Sequence, residues 1–249
     1  MRLLRRIASL AYVPYAALTF VVTMFLVLPF VLVSAFFGIA GGNFIYFLCR
    51  CWARAWYFLI GIRHIEIHLS PIDESRQYIF VANHGSYMDI PAAILAICQP
   101  VRILGKYEMV KIPVFGWIYR AAVILVDRRD VERRARSVRA LKAAMRRGIS
   151  IFIFPEGTFN ETGEPLKDFF DGAFRLAIET QQPIKPLLFI DTGSRQNYHT
   201  IFSLNPGKSR VIYLPEVEVT GYTMAQVRDL KEHVHRLMED GLTTYRAGH

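Results

Sequence analysis

Residues 7–49 contain no charged side chain, and this constrains the fold more than any other feature of the sequence. Three arginines among the first six residues precede the stretch, and Arg50 and Arg54 follow it. A basic start before an apolar stretch also marks a signal peptide, but this stretch is too long for one and no small-residue cleavage site clearly ends it. We therefore interpret residues 1–61 as a retained, hydrophobic two-helix membrane anchor.

Prolines and glycines divide the anchor into two predicted helices. One covers about residues 15–37, with a kink allowed at Pro29, and the second covers about residues 44–60, after Gly41-Gly42. Each helix is long enough to approach the hydrocarbon thickness of a bilayer. Two arrangements are open, a transmembrane hairpin and a pair of helices lying in one leaflet.

The second of these helices carries cations and amphipathic aromatic residues together. Arg50 and Arg54 alternate with Trp52, Trp56 and Tyr57. Such side chains suit the headgroup interface better than the middle of a bilayer. This favours a monotopic or partly inserted anchor.

Behind the anchor, short apolar runs alternate with helical patterns. The runs that indicate strands are 63–69, 78–82, 101–104, 122–126, 149–154 and 187–190, with one or two further strands over 209–219. The helical patterns include 91–98, 128–147, 172–180 and 223–242, the last with a capping box of Thr223 and Gln226. Alternation of this kind predicts an α/β fold with a mainly parallel central sheet flanked by helices, over residues 62–249.

Polar residues and a glycine follow several of these predicted strands. In parallel sheets, ligands bind outside the carboxyl ends of the strands. The residues that this rule gathers at one edge are His84, Asp89, Lys106, Asp127, Arg128, Glu156, Gly157 and Thr158.

The end of the predicted strand 78–82 suggests a general base. His84 follows the apolar run, and Asp89 comes five residues later. Proline is tolerated only in the first turn of a helix, so Pro91 predicts a helix that begins between residues 86 and 90. The loop before it could fold back so that Asp89 orients His84, and a carboxylate-supported imidazole is a general base near neutral pH.

The residues after the other predicted strands suggest groups that could bind the substrate or stabilise the reaction. Lys106 and Arg128 could neutralise a phosphate. The glycine-bearing turns at Gly85 and Gly157 could offer backbone N–H groups that stabilise an oxyanion during attack on an acyl group. Glu156 could hydrogen-bond a hydroxyl or fix a loop.

Other interpretations of the same residues stay open. Ser86 could be the nucleophile of a lipid hydrolase, although it lacks a Gly-x-Ser-x-Gly elbow. A metal site at His84 and Asp89 would need more ligands than this edge offers, so no metal is expected. The chain could also be a non-enzymatic lipid-binding or scaffold protein, with its anchor and a basic helix holding it on a membrane.

The net charge of +9 is concentrated in that basic helix, residues 128–147. Its apolar positions have helical spacing and its other face is cationic. No nucleic-acid-binding signature accompanies it, so we expect lipid headgroups and no nucleic acid as its partner. The odd set of Cys49, Cys51 and Cys98 indicates reduced thiols, which favours the cytoplasmic face of the inner or cell membrane.

With these residues assembled, the chain resembles the HX4D glycerolipid acyltransferases, and most of all the 1-acylglycerol-3-phosphate O-acyltransferase (lysophosphatidic acid acyltransferase) family. The motifs that carry the resemblance are, in order, Asn83-His84-x-Ser86-x-x-Asp89, Lys106-Tyr107-Glu108-Met109, Val126-Asp127-Arg128, Phe154-Pro155-Glu156-Gly157-Thr158 and Pro183-Ile184-Lys185-Pro186. Each motif alone is weak, but their order and spacing agree with the family from about residue 79 to residue 189.

The resemblance implies an activity and roles. His84 would be the general base on the free hydroxyl of 1-acylglycerol-3-phosphate, and Asp89 would orient it. Lys106 and Arg128 would lie near the acceptor phosphate, and the Glu156-Gly157-Thr158 segment would help to bind the glycerol backbone. The acyl donor would be acyl-CoA or acyl carrier protein as co-substrate, with no cofactor, and the product would be phosphatidic acid.

Two positions depart from the family pattern. Phe159 stands where the family usually has an arginine, and Asp171 stands where a later cation is common. Arg120, Lys167 or Arg175 could supply the missing charge. Another lysolipid, such as a lyso-aminolipid, is therefore an alternative acceptor.

Overall fold

The computed structural model describes residues 2–126 and 131–247. The helices are α1 (Arg2–Ser34), α2 (Gly38–Leu59), α3 (Asp89–Ala96), α4 (Phe115–Ala122), α5 (Val131–Met145), α6 (Gly172–Thr180), α7 (Thr192–Arg195) and α8 (Val227–Ala247). The strands are β1 (Ile62–His68), β2 (Ile79–Ala82), β3 (Val101–Lys106), β4 (Val123–Val126), β5 (Ser150–Ile153), β6 (Ile184–Phe189) and β7 (Gly207–Tyr213).

The chain packs as two compact units. The first unit contains the residues up to Ile67 together with Gly85–Ile97 and Phe189–Val211. The second unit contains His68–His84, Cys98–Leu188 and the chain from Ile212 onward. These units interleave along the sequence, so they do not test the predicted boundary after residue 61.

In the first unit, α1 and α2 form an antiparallel hairpin. The hydroxyl of Tyr12 donates to the carbonyl of Ile60 at 2.7 Å, and the indole Nε1 of Trp52 donates to Thr23 Oγ1 at 2.8 Å. The start of one helix therefore meets the end of the other, as an antiparallel pair requires. The predicted pair of helices is present.

The turn of the hairpin is tighter than the sequence suggested. α1 runs through Pro14 and Pro29 to Ser34, and α2 begins already at Gly38 rather than near residue 44. The predicted helix start is wrong because Gly41 does not break the helix. A Cβ at Gly41 would overlap the carbonyl oxygen of Ser34, so the missing side chain is what lets the two segments approach.

The hairpin exposes a large apolar surface. Leu26, Phe36 and Phe58 are among its well-exposed side chains, and Phe58 is 83% exposed. Along the described residues, one segment, Ala11–Leu59, is long and apolar enough to cross a membrane. Many exposed apolar side chains on one apolar hairpin indicate membrane association.

The hairpin shares a hydrophobic core with α3. Ala53 and Tyr57 of α2 belong to the same buried cluster as Met88 and Leu95. The hydroxyl of Tyr57 also donates to the carbonyl of Met88, the residue before α3, at 3.2 Å. The anchor and the helix that begins with Asp89 are therefore packed together and fold as parts of one core.

The second unit contains the main part of the sheet. Its strands follow the order β6-β2-β5-β3-β4, and the pairs β6–β2, β2–β5, β5–β3 and β3–β4 are all parallel. An antiparallel bridge joins Ile184 to Val217. The predicted α/β fold with a mainly parallel central sheet is confirmed. Of the one or two strands expected over residues 209–219, β7 ends at Tyr213, shortly before Pro215, which has no N–H to donate, and Val217 beyond it forms the bridge to Ile184.

The flanking helices of the second unit follow their sequence patterns closely. α6 has the bounds predicted for it. The predicted capping box precedes α8, with the Thr223 N–H donating to Gln226 Oε1 at 3.0 Å. Leu230, Val234 and Met238 form the fully buried stripe of α8, so one face of the helix lies in the core.

The close approach in the hairpin turn generates a prediction. Gly41→Ala should lower the free energy of unfolding by roughly 1–3 kcal/mol, because the new Cβ meets backbone that cannot move aside. Thermal unfolding in detergent measures this. Gly193→Ala is the control, since a Cβ there meets no atom within 4 Å. Equal stability of the two variants would contradict the packing described.

Candidate active site

The register of two parallel strands in the second unit places His84 and Glu156 side by side. Val81 of β2 pairs with Ile153 of β5. His84 and Glu156 each follow three residues later, so they leave the sheet side by side at its carboxyl end. The predicted edge is therefore formed by adjacent strands.

A third predicted residue lies at the same end. Ile103 of β3 pairs with Phe152 of β5, so Lys106 is level with Pro155, one residue before Glu156. Lys106 is exposed and is the last residue of β3. It pairs with Val126, the last residue of β4. Asp127 and Arg128, which the sequence also predicts for this edge, lie outside the described residues.

The carboxylate of Glu156 fixes backbone. Its Oε1 accepts the backbone N–H of His84 at 2.7 Å, and its Oε2 accepts the backbone N–H of Lys167 at 3.0 Å. The residue is fully buried. Of the two roles considered for Glu156, the geometry supports the fixing of a loop.

The imidazole of His84 is held between aromatic rings. It stacks on Phe154, with ring centroids 3.8 Å apart and planes 14° apart, and it meets Phe159 at 4.4 Å in a tilted arrangement. The carbonyl of His84 accepts the N–H of Asn160 at 2.7 Å. The backbone and the ring plane of His84 are therefore both restrained, and Phe159 supplies part of that restraint where the family usually has an arginine.

The N–H groups of Gly85 and Gly157 are already bound within the protein. The N–H of Gly157 donates to the carbonyl of Phe154 at 3.1 Å, which closes the turn after β5. Gly157 has φ +76°, a value that favours glycine. The N–H of Gly85 donates to Asp89 at 2.8 Å. The N–H groups of the two glycines themselves are therefore used by the turns, and an oxyanion donor from these turns would be another of their N–H groups.

A lysine that the sequence suggested only as a substitute cation lies beside the last predicted site residue. The ammonium of Lys167 donates to the hydroxyl of Thr158 at 2.8 Å, and Thr158 is exposed. The motif after β5 therefore has a cation next to it in this chain. The sequence separation of nine residues gives no sign of this contact, which depends on how Glu156 holds the Lys167 backbone.

Asp171 has a different, structural role. Its Oδ1 accepts from the ammonium of Lys231 at 2.8 Å, and Arg175 lies 3.7 Å away. The hydrogen bond from Lys231 holds the pKa of Asp171 below its usual value. The residue therefore joins the start of α6 to α8.

In the first unit, Asp89 organises the loop before α3. It is the first residue of the helix and is fully buried. Its Oδ2 accepts the N–H of Gly85 at 2.8 Å and the N–H of Ser86 at 2.9 Å. The helix begins within the predicted range, and the loop folds back onto this carboxylate.

Ser86 is occupied as a donor and closed to solvent. It is fully buried, and its hydroxyl donates to the carbonyl of Gln196 at 2.7 Å. Its oxygen also accepts the N–H of Met88 at 3.0 Å. A nucleophile needs a base for its proton and access for a carbonyl carbon, so this geometry argues against Ser86 as the nucleophile of a hydrolase.

Over residues 2–126 and 131–247, no three His, Cys, Asp or Glu side chains are grouped as a metal site would require. The candidate site thus has a restrained histidine, His84, at the carboxyl end of β2. The exposed Lys106 lies at the end of β3, which is separated from β2 by β5. This arrangement defines an α/β protein with a candidate general base at its sheet edge.

Comparison with known proteins agrees with this class. The sequence model of the Acyltransferase family matches residues 64–190, about half of the chain. The 1-acyl-sn-glycerol-3-phosphate acyltransferase of Salmonella typhimurium is 36% identical over 166 residues, which is 65% of this chain and 65% of that protein. The match thus spans just under two thirds of that relative's length. The enzyme of the same name from Haemophilus influenzae is 33% identical over 196 residues, or 76% of this chain and 78% of that protein.

A solved structure has the same fold. The crystal structure of the 1-acyl-sn-glycerophosphate (LPA) acyltransferase PlsC from Thermotoga maritima superposes with a TM-score of 0.81 over 98% of both chains, at 21% identity. The chain therefore belongs to the acyltransferase family and, within it, to the family of the 1-acyl-sn-glycerol-3-phosphate acyltransferases.

The bridging carboxylate generates a prediction. Glu156→Gln should lower the free energy of unfolding by about 1–3 kcal/mol, because an amide nitrogen cannot accept one of the two buried N–H groups. Chemical denaturation measures this. Glu164→Gln, an exposed change of the same chemistry, is the control. If the two variants have the same free energy of unfolding, the carboxylate of Glu156 does not hold the loop.

Proposed function

We propose that the protein transfers a fatty acyl group from a thioester to the free hydroxyl of 1-acylglycerol-3-phosphate, giving phosphatidic acid. The observation that carries this is the restrained imidazole of His84 at the carboxyl end of β2, in a chain of this family. The relatives are named for this acceptor, which supports the assignment.

The proposed mechanism needs no covalent enzyme intermediate. His84 takes the proton from the acceptor hydroxyl, and the oxygen attacks the thioester carbonyl carbon. The tetrahedral intermediate collapses, the C–S bond breaks, and the leaving thiolate takes the proton back from the imidazolium. The products are the ester and the free thiol of CoA or of acyl carrier protein. The ring contacts with Phe154 and Phe159 support this role, because a base must keep its orientation through the reaction.

Asp89 is proposed to act through the loop that carries His84. Its carboxylate binds the N–H of Gly85, the residue next to His84 in the chain. A loop held in this way keeps the histidine in one place at little entropic cost during reaction.

The acceptor phosphate is proposed to lie near Lys106 and Arg128, with Lys167 as an additional cation. The position of Lys106 at the end of β3 and the contact of Lys167 with Thr158 support this. The Glu156-Gly157-Thr158 turn would then border the glycerol backbone. The family's usual arginine is replaced by Phe159, and Lys167 supplies a charge close by.

The hairpin is proposed to lie on the cytoplasmic face of the membrane as a monotopic or partly inserted anchor. Arg50, Arg54, Trp52 and Trp56 on α2 support an interfacial position. Trp56 donates its indole N–H to the carbonyl of Ala16 at 3.0 Å, so this aromatic group is also part of the hairpin contact.

The mechanism is tested by His84→Ala in the full-length chain. Acyl transfer from acyl-CoA and from acyl carrier protein to lysophosphatidic acid should fall about 10²–10⁴-fold or more, since a general base contributes that much. The control is His233→Ala on the exposed face of α8. Undiminished transfer by His84→Ala would exclude the mechanism, and release of free fatty acid without acceptor would point to a hydrolase instead.

Acceptor recognition is tested by Lys167→Met, which keeps the side-chain stem and the backbone N–H. The kcat/KM for lysophosphatidic acid should fall roughly tenfold, while that for a lyso-aminolipid without a phosphate should change little. Phe159→Arg should shift the preference towards phosphate. The control is Lys208→Met, at another exposed lysine. A wild-type preference for the lyso-aminolipid would overturn the assigned acceptor while keeping the acyl transfer.

A further inference from the structure

The segment after Lys106 exposes apolar side chains in the second unit. β3 is followed by a short 3-10 helix, Tyr107–Lys111, and then by a turn into α4. Ile112 is 43% exposed and Trp117 is 59% exposed, and Pro113 between them is exposed as well. We call these three residues the turn patch. The Gly116 N–H donates to the carbonyl of Ile112 at 2.8 Å, so the turn brings both ends of the patch together.

The backbone of the turn is in a rare conformation. Val114 has φ 63° and ψ −57°, and the N–H of Phe115 donates to the carbonyl of Pro113 at 2.7 Å. This is the γ-turn with positive φ, which is rare and strained. A β-branched residue at positive φ is an outlier, and strain of this kind persists where the surrounding structure enforces it and concentrates at functional segments.

The turn is also braced from behind. A Cβ at Gly116 would overlap the carbonyl oxygen of Val110, so the start of α4 packs directly on the end of the 3-10 helix. The Trp117 N–H donates to the carbonyl of Val114 at 3.0 Å. The turn patch is therefore presented by a braced backbone, and a surface presented in this way loses little entropy when it binds.

The charges next to the turn patch indicate what kind of surface it binds. Lys111 and Arg120 flank the patch and are exposed, and Lys106 at the start of the segment is exposed too. Glu108 is the one acidic residue of the sequence from 106 to 122. An exposed tryptophan among cations fits the headgroup layer of an anionic membrane, where the ring meets the upper acyl chains and the cations meet phosphates.

We propose that the turn patch inserts into the headgroup layer of an anionic membrane and gives the second unit its own lipid contact, in addition to the hairpin of the first unit. Exposed apolar residues scattered singly need no explanation. Here they are concentrated on a strained, braced turn between cations. Because the segment begins at Lys106, the contact also brings that proposed phosphate ligand to the layer in which a lysolipid headgroup lies, and this second consequence rests on the proposed function.

The test reads Trp117 directly in the full-length protein. Wild type and Trp117→Phe are reconstituted in phosphatidylcholine vesicles with about one third phosphatidylglycerol. Some vesicles carry lipids brominated near the headgroup end of the acyl chain. The emission difference between the two proteins isolates Trp117 from Trp52 and Trp56. We expect the difference emission to be blue-shifted, quenched by roughly half or more by the brominated lipid, and protected from aqueous iodide.

Matched variants define the patch. Ile112→Ser should reduce the quenching of Trp117, whereas Met224→Ala should leave it unchanged. Met224 is a fair control because it is 43% exposed, like Ile112, but lies before α8. A difference emission that is typical of water and open to iodide would overturn the proposal. The same blue shift produced in neutral detergent by an acidic acyl carrier protein would also overturn it, in favour of a protein partner.

A kinetic measurement separates this proposal from the proposed function. Trp117→Ala should raise the KM for lysolipid in anionic vesicles about three- to tenfold and leave the KM for a short-chain, water-soluble lysolipid unchanged. An equal rise for both acceptors would contradict a membrane role. The fluorescence result needs no turnover, so an inactive protein with quenched Trp117 would reject the proposed function and keep the membrane contact.

Discussion

Three consecutive backbone N–H groups, those of His84, Gly85 and Ser86, each donate to a carboxylate. Glu156 accepts the first, and Asp89 accepts the other two. Buried N–H groups must be bonded, and a bond to a charged acceptor is roughly twice as strong as a neutral one. The backbone N–H of the candidate base is therefore fixed by Glu156, and the backbone N–H groups of the two residues after it are fixed by Asp89.

The same constraint explains why the motif residues have these side chains. Glu156 must accept two N–H groups and donate to none, which a carboxylate does and an amide does not. Asp89 reaches back over three residues from the first turn of α3, where a negative charge is also favourable. Glu156 and Asp89, to which the motifs assign roles in substrate binding and catalysis, are thus first of all acceptors of backbone N–H groups.

The sequence could predict the sheet and its edge, because apolar runs, helical periodicity and the residues after each strand are local signals. His84, Lys106 and Glu156 follow their strands as expected, and parallel register then brings them to one end. What each carboxylate binds could not be predicted, since hydrogen-bond partners depend on loop geometry. Gly41 shows the same limit. Its low helix propensity predicted a break, but it lies inside α2, where the absence of a side chain allows close contact with the carbonyl oxygen of Ser34.

The packing of the hairpin changes how the anchor should be understood. A helix pair that served only for attachment would not need to share a core with a later helix of the chain. Here Tyr57 of α2 packs with Met88 and Leu95 and also bonds the Met88 carbonyl, directly before Asp89. Removal of the hairpin would expose this core to water at a cost of about 25 cal/mol for each Å² of apolar surface. The hairpin therefore stabilises the start of α3, and the same helix pair that carries the exposed apolar surface also holds this segment in place.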